Sequence, residues 1–293
     1  RCDTNTQLTT RSNFLKGALG TASVLAPLVC GNLAFSDETK AVTEEEARRN
    51  LREVAELQNL AFEFTNSFNY PKAEVIWTQL IGKDPTIAAA WSNRGNCRTS
   101  QGKFTEAIED FNKASELAPN EPDPYLGRGV AYEGLKRFED AIKEYNQANE
   151  KSKAKFGQED PVTYNNVANA YAGMGKWEDA MMGYQKAYLM QREYVFPRAS
   201  EALMLFQLGR DDEAAVRMRG LVRKYPTFAD MHAGLAALYY TSNQISLAEK
   251  EYGLALDQDP RYKDLEWVTT VRRWPPRATE ALSKLKFERG YNF

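Results

Sequence analysis

One spacing recurs along most of the chain and limits what it can fold into. Ala73, Ala107, Ala141, Ala180, Ala214 and Ala248 follow one another at steps of 34, 34, 39, 34 and 34 residues. Four residues after each comes Trp77, Phe111, Tyr145, Tyr184, Met218 or Tyr252, and three further on Leu80, Ala114, Ala148, Ala187, Leu221 or Ala255. Twelve residues before each alanine stands Ala61, Gly95, Gly129, Ala168, Ala202 or Ala236. Three beyond those come Phe64, Tyr132, Tyr171, Leu205 and Tyr239, and prolines close four of the six periods (Pro85, Pro119, Pro226, Pro260). A period of this length belongs to a stacked array rather than to a domain with one central core.

The residue types explain the period. Each repeat predicts two helices joined near Gly102, Gly134, Gly175, Gly209 or Asn243. Gly or Ala on the first helix and Ala on the second remove bulk where the two cross, so their backbones approach closely. The large residue four positions later lies on the same face of the second helix and fills the gap to the next repeat. Proline then ends that helix. One such unit cannot bury its own apolar face, so stability comes from its neighbours.

This register resembles the tetratricopeptide repeat. The resemblance implies an all-α solenoid, a right-handed superhelix of about six helix-turn-helix repeats, over residues 54–260. Residues 37–53 read as a linker and lead-in helix (near Glu44 to Asn59) merging into the first repeat, and residues 261–293 as C-terminal capping helices. Two departures stand out. Five extra residues fall within Lys151–Asp160, where the closing proline is missing, which predicts a lengthened second helix and a loop. At the C-terminus Leu265–Val268 reads as a short helix, Trp274-Pro275-Pro276 as a break, and Ala281, Leu282, Leu285 and Phe287 as the apolar side of a last helix.

Residues 1–36 read as a targeting segment that is removed. A polar opening with Arg11 and Lys16 leads to an apolar stretch from Ala18 to about Ala34, ending in small residues at Ala34 and Ser36 before Asp37-Glu38. Pro27 and several glycines break the apolar run, which argues against a permanent membrane span. The first residues are Arg-Cys, and an export signal lying behind a cleaved leader fits two-stage import to the chloroplast thylakoid lumen. A bacterial periplasmic location is the alternative. Without Cys2 and Cys30 the chain keeps one cysteine, Cys97, and forms no internal disulfide.

In the tetratricopeptide family, peptides lie on the face made by the first helices, at repeat positions 2, 5, 9 and 12. Carried over, the lining includes Gln58 and Phe62, then Ala89, Ser92, Asn96 and Thr99, then Val162, Asn165, Asn169 and Ala172, then Phe196, Leu203, Phe206, Asp230 and Tyr240. Asn93 and Asn166 stand beside them. The asparagines of the carboxylate-clamping members are present; their groove lysines are not. A row of Asn side chains can both donate to and accept from the main chain of an extended peptide without reading its side chains. The candidate partner-binding residues are therefore Phe62, Asn93, Asn96, Asn165, Asn166, Asn169, Phe206 and Tyr240, with the aromatics as apolar anchors.

Composition excludes other classes. The chain has 293 residues and a formal charge of −2, which supplies no general attraction to nucleic acid. The near-neutral total hides +4 in residues 261–293 against about −8 in residues 37–260, so the cap could dock on an acidic partner or anionic lipid. The only histidine, His232, sits where the family packs a large aromatic, and Cys97 reads as a small buried side chain. There is no zinc spacing, phosphate loop or nucleophile elbow. The expected function is non-catalytic and without cofactor: a scaffold for protein or peptide partners in the thylakoid lumen, assisting assembly or maintenance of a photosynthetic complex. A permanent structural subunit of a membrane-associated assembly, or a periplasmic adaptor, are the alternatives.

Overall fold

A computed structural model describes residues 37–288 and residue 290, with side chains from residue 43 onward. The targeting segment and the end of the chain, Arg289 included, lie outside the described residues. Among the described residues there are fourteen α-helices and one 3-10 turn. They form two compact units that meet at Gly157 and Gln158.

The first unit holds α1 (Asp37–Asn66), α2 (Tyr70–Lys83), α3 (Ala88–Ser100), α4 (Phe104–Leu117), α5 (Asp123–Gly134) and α6 (Phe138–Phe156). The lead-in and the first helix of the first repeat are one continuous 30-residue helix, α1. The second unit holds α7 (Pro161–Gly173), α8 (Trp177–Met190), α9 (Val195–Gln207), α10 (Asp211–Lys224), α11 (Ala229–Thr241) and α12 (Ile245–Gln258). A 3-10 turn (Pro260–Lys263), α13 (Leu265–Thr270) and α14 (Pro276–Glu288) complete it. Odd-numbered helices up to α11 are the first helices of their repeats, and even-numbered ones the second.

The repeat positions behave as the spacing predicts. All six register alanines on the second helices are fully buried. The large residue after each of them is also enclosed, from Trp77 through Tyr252. Gly129 shows why the crossing position excludes side chains: a Cβ there would lie 2.5 Å from the Tyr145 ring. The 39-residue step is absorbed by α6, which has 19 residues where α4 and α8 have 14. Gly157 ends α6 in the left-handed conformation (φ 76°), and Asp160 caps α7 by accepting from the Val162 amide at 2.9 Å.

One turn differs from expectation. Gly134 is still helical and packs against Phe104, where a Cβ would come within 2.4 Å of the ring. The left-handed residue of that turn is Lys136 (φ 60°), which holds a conformation that Gly102, Gly175 and Gly209 adopt without a Cβ penalty.

Ion pairs recur between the two helices of a repeat at a separation of 16 residues: Arg94 with Asp110 at 2.6 Å, Arg128 with Glu144 at 2.6 Å, and Glu201 with Arg217 at 3.5 Å. In the sixth repeat Leu235 occupies the first of these positions and Glu251 the second. The acid there takes the histidine instead: His232 Nδ1 lies 2.6 Å from a Glu251 carboxylate oxygen, and Nε2 lies 2.9 Å from the Pro226 carbonyl. With an acceptor at each nitrogen, the ring is best satisfied as imidazolium. The hydrogen bond to Glu251 raises its pKa above 6.5 against the opposing effect of burial. The pair's contribution to stability is therefore complete below the ordinary imidazole range and is lost as pH rises through the raised value.

Candidate partner-binding face

In the first unit, α3 carries two chemistries on opposite sides. Arg94 and Arg98, one turn apart, face the second helices. Arg94 grips Asp110 of α4 through Nε and Nη2 at 3.0 and 2.6 Å, and Arg98 reaches Asp110 at 2.9 Å and Glu74 of α2 at 3.0 Å. Burial opposes ionisation of Glu74, but Lys103, Arg98 and Gln101 together hold its carboxyl down to about 2. Asn96 falls between the two arginines in sequence and so lies on the far side of the helix. Asn93, one turn before it, shares that side. Both are half-buried, and neither carboxamide bonds to any described residue. One turn further along, the hydroxyl of Thr99 is buried without a hydrogen-bond partner. Phe62 is half-buried and stands edge-on to Trp77 with ring centres 5.0 Å apart, so its main role is within the unit's own core.

In the second unit the four predicted positions on α7 and α9 divide. Asn165 is half-buried and bonds to no described residue. Asn166 is 8 % exposed, and its Nδ2 is buried without an acceptor. Asn169 accepts a hydrogen bond from the Tyr184 hydroxyl at 2.7 Å, which ties α7 to α8 and occupies its oxygen. Phe206, expected to anchor a partner, is fully enclosed, with the Arg277 guanidinium 4.4 Å above its ring. Tyr240, on α11, borders a cleft whose other wall is α14.

The last helix accounts for both aromatics. Helix α14 packs against α9 and α11, the first helices of the last two repeats. The cap was expected on the last apolar edge; it covers part of the first-helix face as well. Its buried side is Ala278, Ala281, Leu282 and Leu285, whereas Phe287, placed on the apolar side in the sequence reading, is 78 % exposed. Arg277 pairs with Asp211 at the start of α10 and donates to the Phe206 carbonyl, and its amide donates to Gln207 Oε1 at 2.8 Å.

The basic excess of this region is engaged within the second unit rather than set out as a docking patch. Arg272 pairs with the buried carboxylate of Asp230, Arg277 with Asp211 and Arg261 with Asp259, while Lys286 donates to the Lys263 carbonyl. Cys97 is fully buried, and burial pushes its thiol up to about 11. Among the described residues no group of three or more His, Cys, Asp and Glu could hold a metal, and no helix is long and apolar enough to cross a membrane.

Comparison with known proteins agrees with this architecture. Residues 88–121 and 122–150 each match a family described as tetratricopeptide repeat. The chain is 32 % identical over 104 residues to a Hsp70-Hsp90 organising protein of Plasmodium falciparum, covering 36 % of this chain and 38 % of that protein. It is 31 % identical over 91 residues to human DnaJ homolog subfamily C member 7, covering 30 % and 18 % respectively. The chain thus spans well under half the length of these relatives. Among solved structures, a tetratricopeptide repeat protein of Parabacteroides merdae superposes with TM-score 0.58 at 18 % identity, over 81 % of this chain and 87 % of that one. The Cut9-Hcn1 assembly of the APC/C gives 0.62 at 16 % identity, over 85 % and 46 %. The chain carries tetratricopeptide repeats at residues 88–150, and its consecutive helix pairs have the fold of a tetratricopeptide-repeat solenoid.

Proposed function

We propose that the chain is a non-catalytic protein–protein interaction scaffold that holds an extended segment of a partner on its first-helix faces. The observation that carries this reading is a set of polar groups without internal partners at the predicted positions: the Asn93 and Asn96 carboxamides beside the buried Thr99 hydroxyl on α3, and the buried Asn166 Nδ2 beside Asn165 on α7. Buried donors and acceptors are nearly always satisfied, so groups left over in a folded chain mark where another chain's main-chain N–H and C=O groups complete the pairing. Similarity to a Hsp70-Hsp90 organising protein supports a partner-holding role. A clamp on a terminal carboxylate is disfavoured, because Arg94 and Arg98 of α3 are committed to Asp110 and Glu74.

Replacing Asn93, Asn96 and Asn165 together with alanine should lower capture of the partner at least tenfold while the circular dichroism stays that of the parent. Capture undiminished by these substitutions would put the interface elsewhere. We place the protein in the thylakoid lumen, where it would assist assembly or maintenance of a photosynthetic complex; the support is the segment Arg11–Ser36. Import of the radiolabelled precursor into isolated chloroplasts tests this. A shortened product protected from protease inside washed thylakoids agrees, and a product confined to the stroma does not.

A further inference from the structure

The helix seated on the second unit shows what that face accepts. Ala278, Ala281, Leu282 and Leu285 follow the i, i+3, i+4, i+7 spacing of an amphipathic helix lying in a groove, and all four are buried against the unit's core. Arg277 fixes the register by reaching Asp211 and the Phe206 carbonyl beside the groove. The hold is local. Arg277 and Asp211 are each about one-third exposed, and the segment leading into α14 carries the exposed Val271 and a left-handed Arg273 (φ 55°). Nor does α14 fill the face: a cleft of about 690 Å³ stays open between it and the end of α11, bordered by Tyr240, Asn243 and Ile245.

We infer that the first-helix face of the second unit is a receptor for an amphipathic helix, and that α14 is its resident ligand in cis. A partner helix with small and leucine side chains at this spacing and an arginine at its N-terminal end enters by displacing α14. The affinity seen by such a partner is reduced by the fraction of chains in which α14 is docked. This ligand class differs from the extended segment proposed for the amide positions, and the two interactions can be separated by mutation.

The probe is a fluorescein-labelled peptide of residues 276–288, titrated by anisotropy with three full-length proteins: the wild type, a Leu282→Asp/Leu285→Asp variant that expels its own α14, and an Asp211→Arg variant. The double variant should bind the probe at least tenfold more tightly than the wild type. The Asp211→Arg chain should prefer a peptide carrying Arg277→Glu over the native peptide by at least tenfold, reversing the preference of the double variant. Should the double variant lose its helical circular dichroism, the charge-swapped pair decides alone, since Asp211 and Arg277 are partly exposed and tolerate exchange. Binding to the wild type as tight as to the double variant would overturn the inference. So would an absence of binding, or of charge preference, in folded variants. Alanine at Asn93 and Asn96 should leave probe binding unchanged, so failure here does not bear on the amide face.

Discussion

Asp230→Ala is expected to destabilise the second unit by about 3–5 kcal/mol, the usual cost of leaving a buried charge without its partner. The Asp230 side chain is 6 % exposed and gathers the whole C-terminal segment: it pairs with Arg272, accepts from Trp274 Nε1 at 3.2 Å, and accepts from the Tyr262 hydroxyl. Burial lowers the Arg272 guanidinium to about 10, so it remains charged at neutral pH and would be stranded. Tyr262 stands edge-on to Trp267 at 5.3 Å and tilted to Trp274 at 5.8 Å, so loss of the carboxylate also loosens an aromatic cluster. Asp230→Asn keeps an acceptor oxygen but no charge, and should fall between the two. Urea unfolding followed by tryptophan fluorescence reads the change, and a loss under 1 kcal/mol would show that the segment is held by apolar packing alone.

Asp110→Ala should be the most damaging single change in the first unit, at about 3 kcal/mol. Arg98 would keep Glu74, whereas Arg94, 9 % exposed, would keep only the Thr78 hydroxyl at 3.3 Å. Cys97, next to this network on α3, supplies the readout. It is fully buried and its thiol is pushed up to about 11, so it reacts only when the unit opens. In a Cys2→Ser/Cys30→Ser background, Asp110→Ala should speed its labelling by an aromatic disulfide about 100-fold, the equivalent of that destabilisation at 1.4 kcal/mol per factor of ten. Asn96→Ala, on the other side of the helix, should leave the rate unchanged. An increase below threefold for Asp110→Ala would mean that the arginines find other partners.

What was legible in the sequence was whatever repeats. Ala, Gly and the large residue at fixed steps state which side chains meet across a helix pair, and the structure buries them as the spacing requires. The long α6 and the final helix were visible as an insertion and as an amphipathic run. The recurring ion pairs, 16 residues apart, were also present in the sequence and could have been found by comparing repeats at those two positions. They explain why the basic and acidic residues interleave without making a patch. Destinations between non-neighbouring elements were not legible. Nothing local indicates that Arg277 travels back to Asp211, Arg272 to Asp230 or α14 to α9, because those contacts depend on the path of the chain through Trp274-Pro275-Pro276. For that reason Phe206 read as an exposed anchor and proved to be enclosed. Asn169 was likewise indistinguishable from Asn165 until Tyr184 was seen to donate to it.

The two units therefore present different faces. In the first, α3 keeps its arginines inside and sets Asn93 and Asn96 on the other side. In the second, α7 keeps Asn165 and Asn166 while α14 covers the later repeats. The account rests on the amides of α3 and α7 meeting a partner's main chain. The most direct test puts a photoreactive benzoylphenylalanine at Asn96, at Asn165 and, on second helices, at the exposed positions Val75 and Val216, with irradiation in extracts of the source tissue. The account predicts that one partner is crosslinked from Asn96 and Asn165, that the attachment points fall in one extended segment of it, and that Val75 and Val216 give none. Adducts formed from Val75 or Val216 while Asn96 and Asn165 stay silent would contradict it.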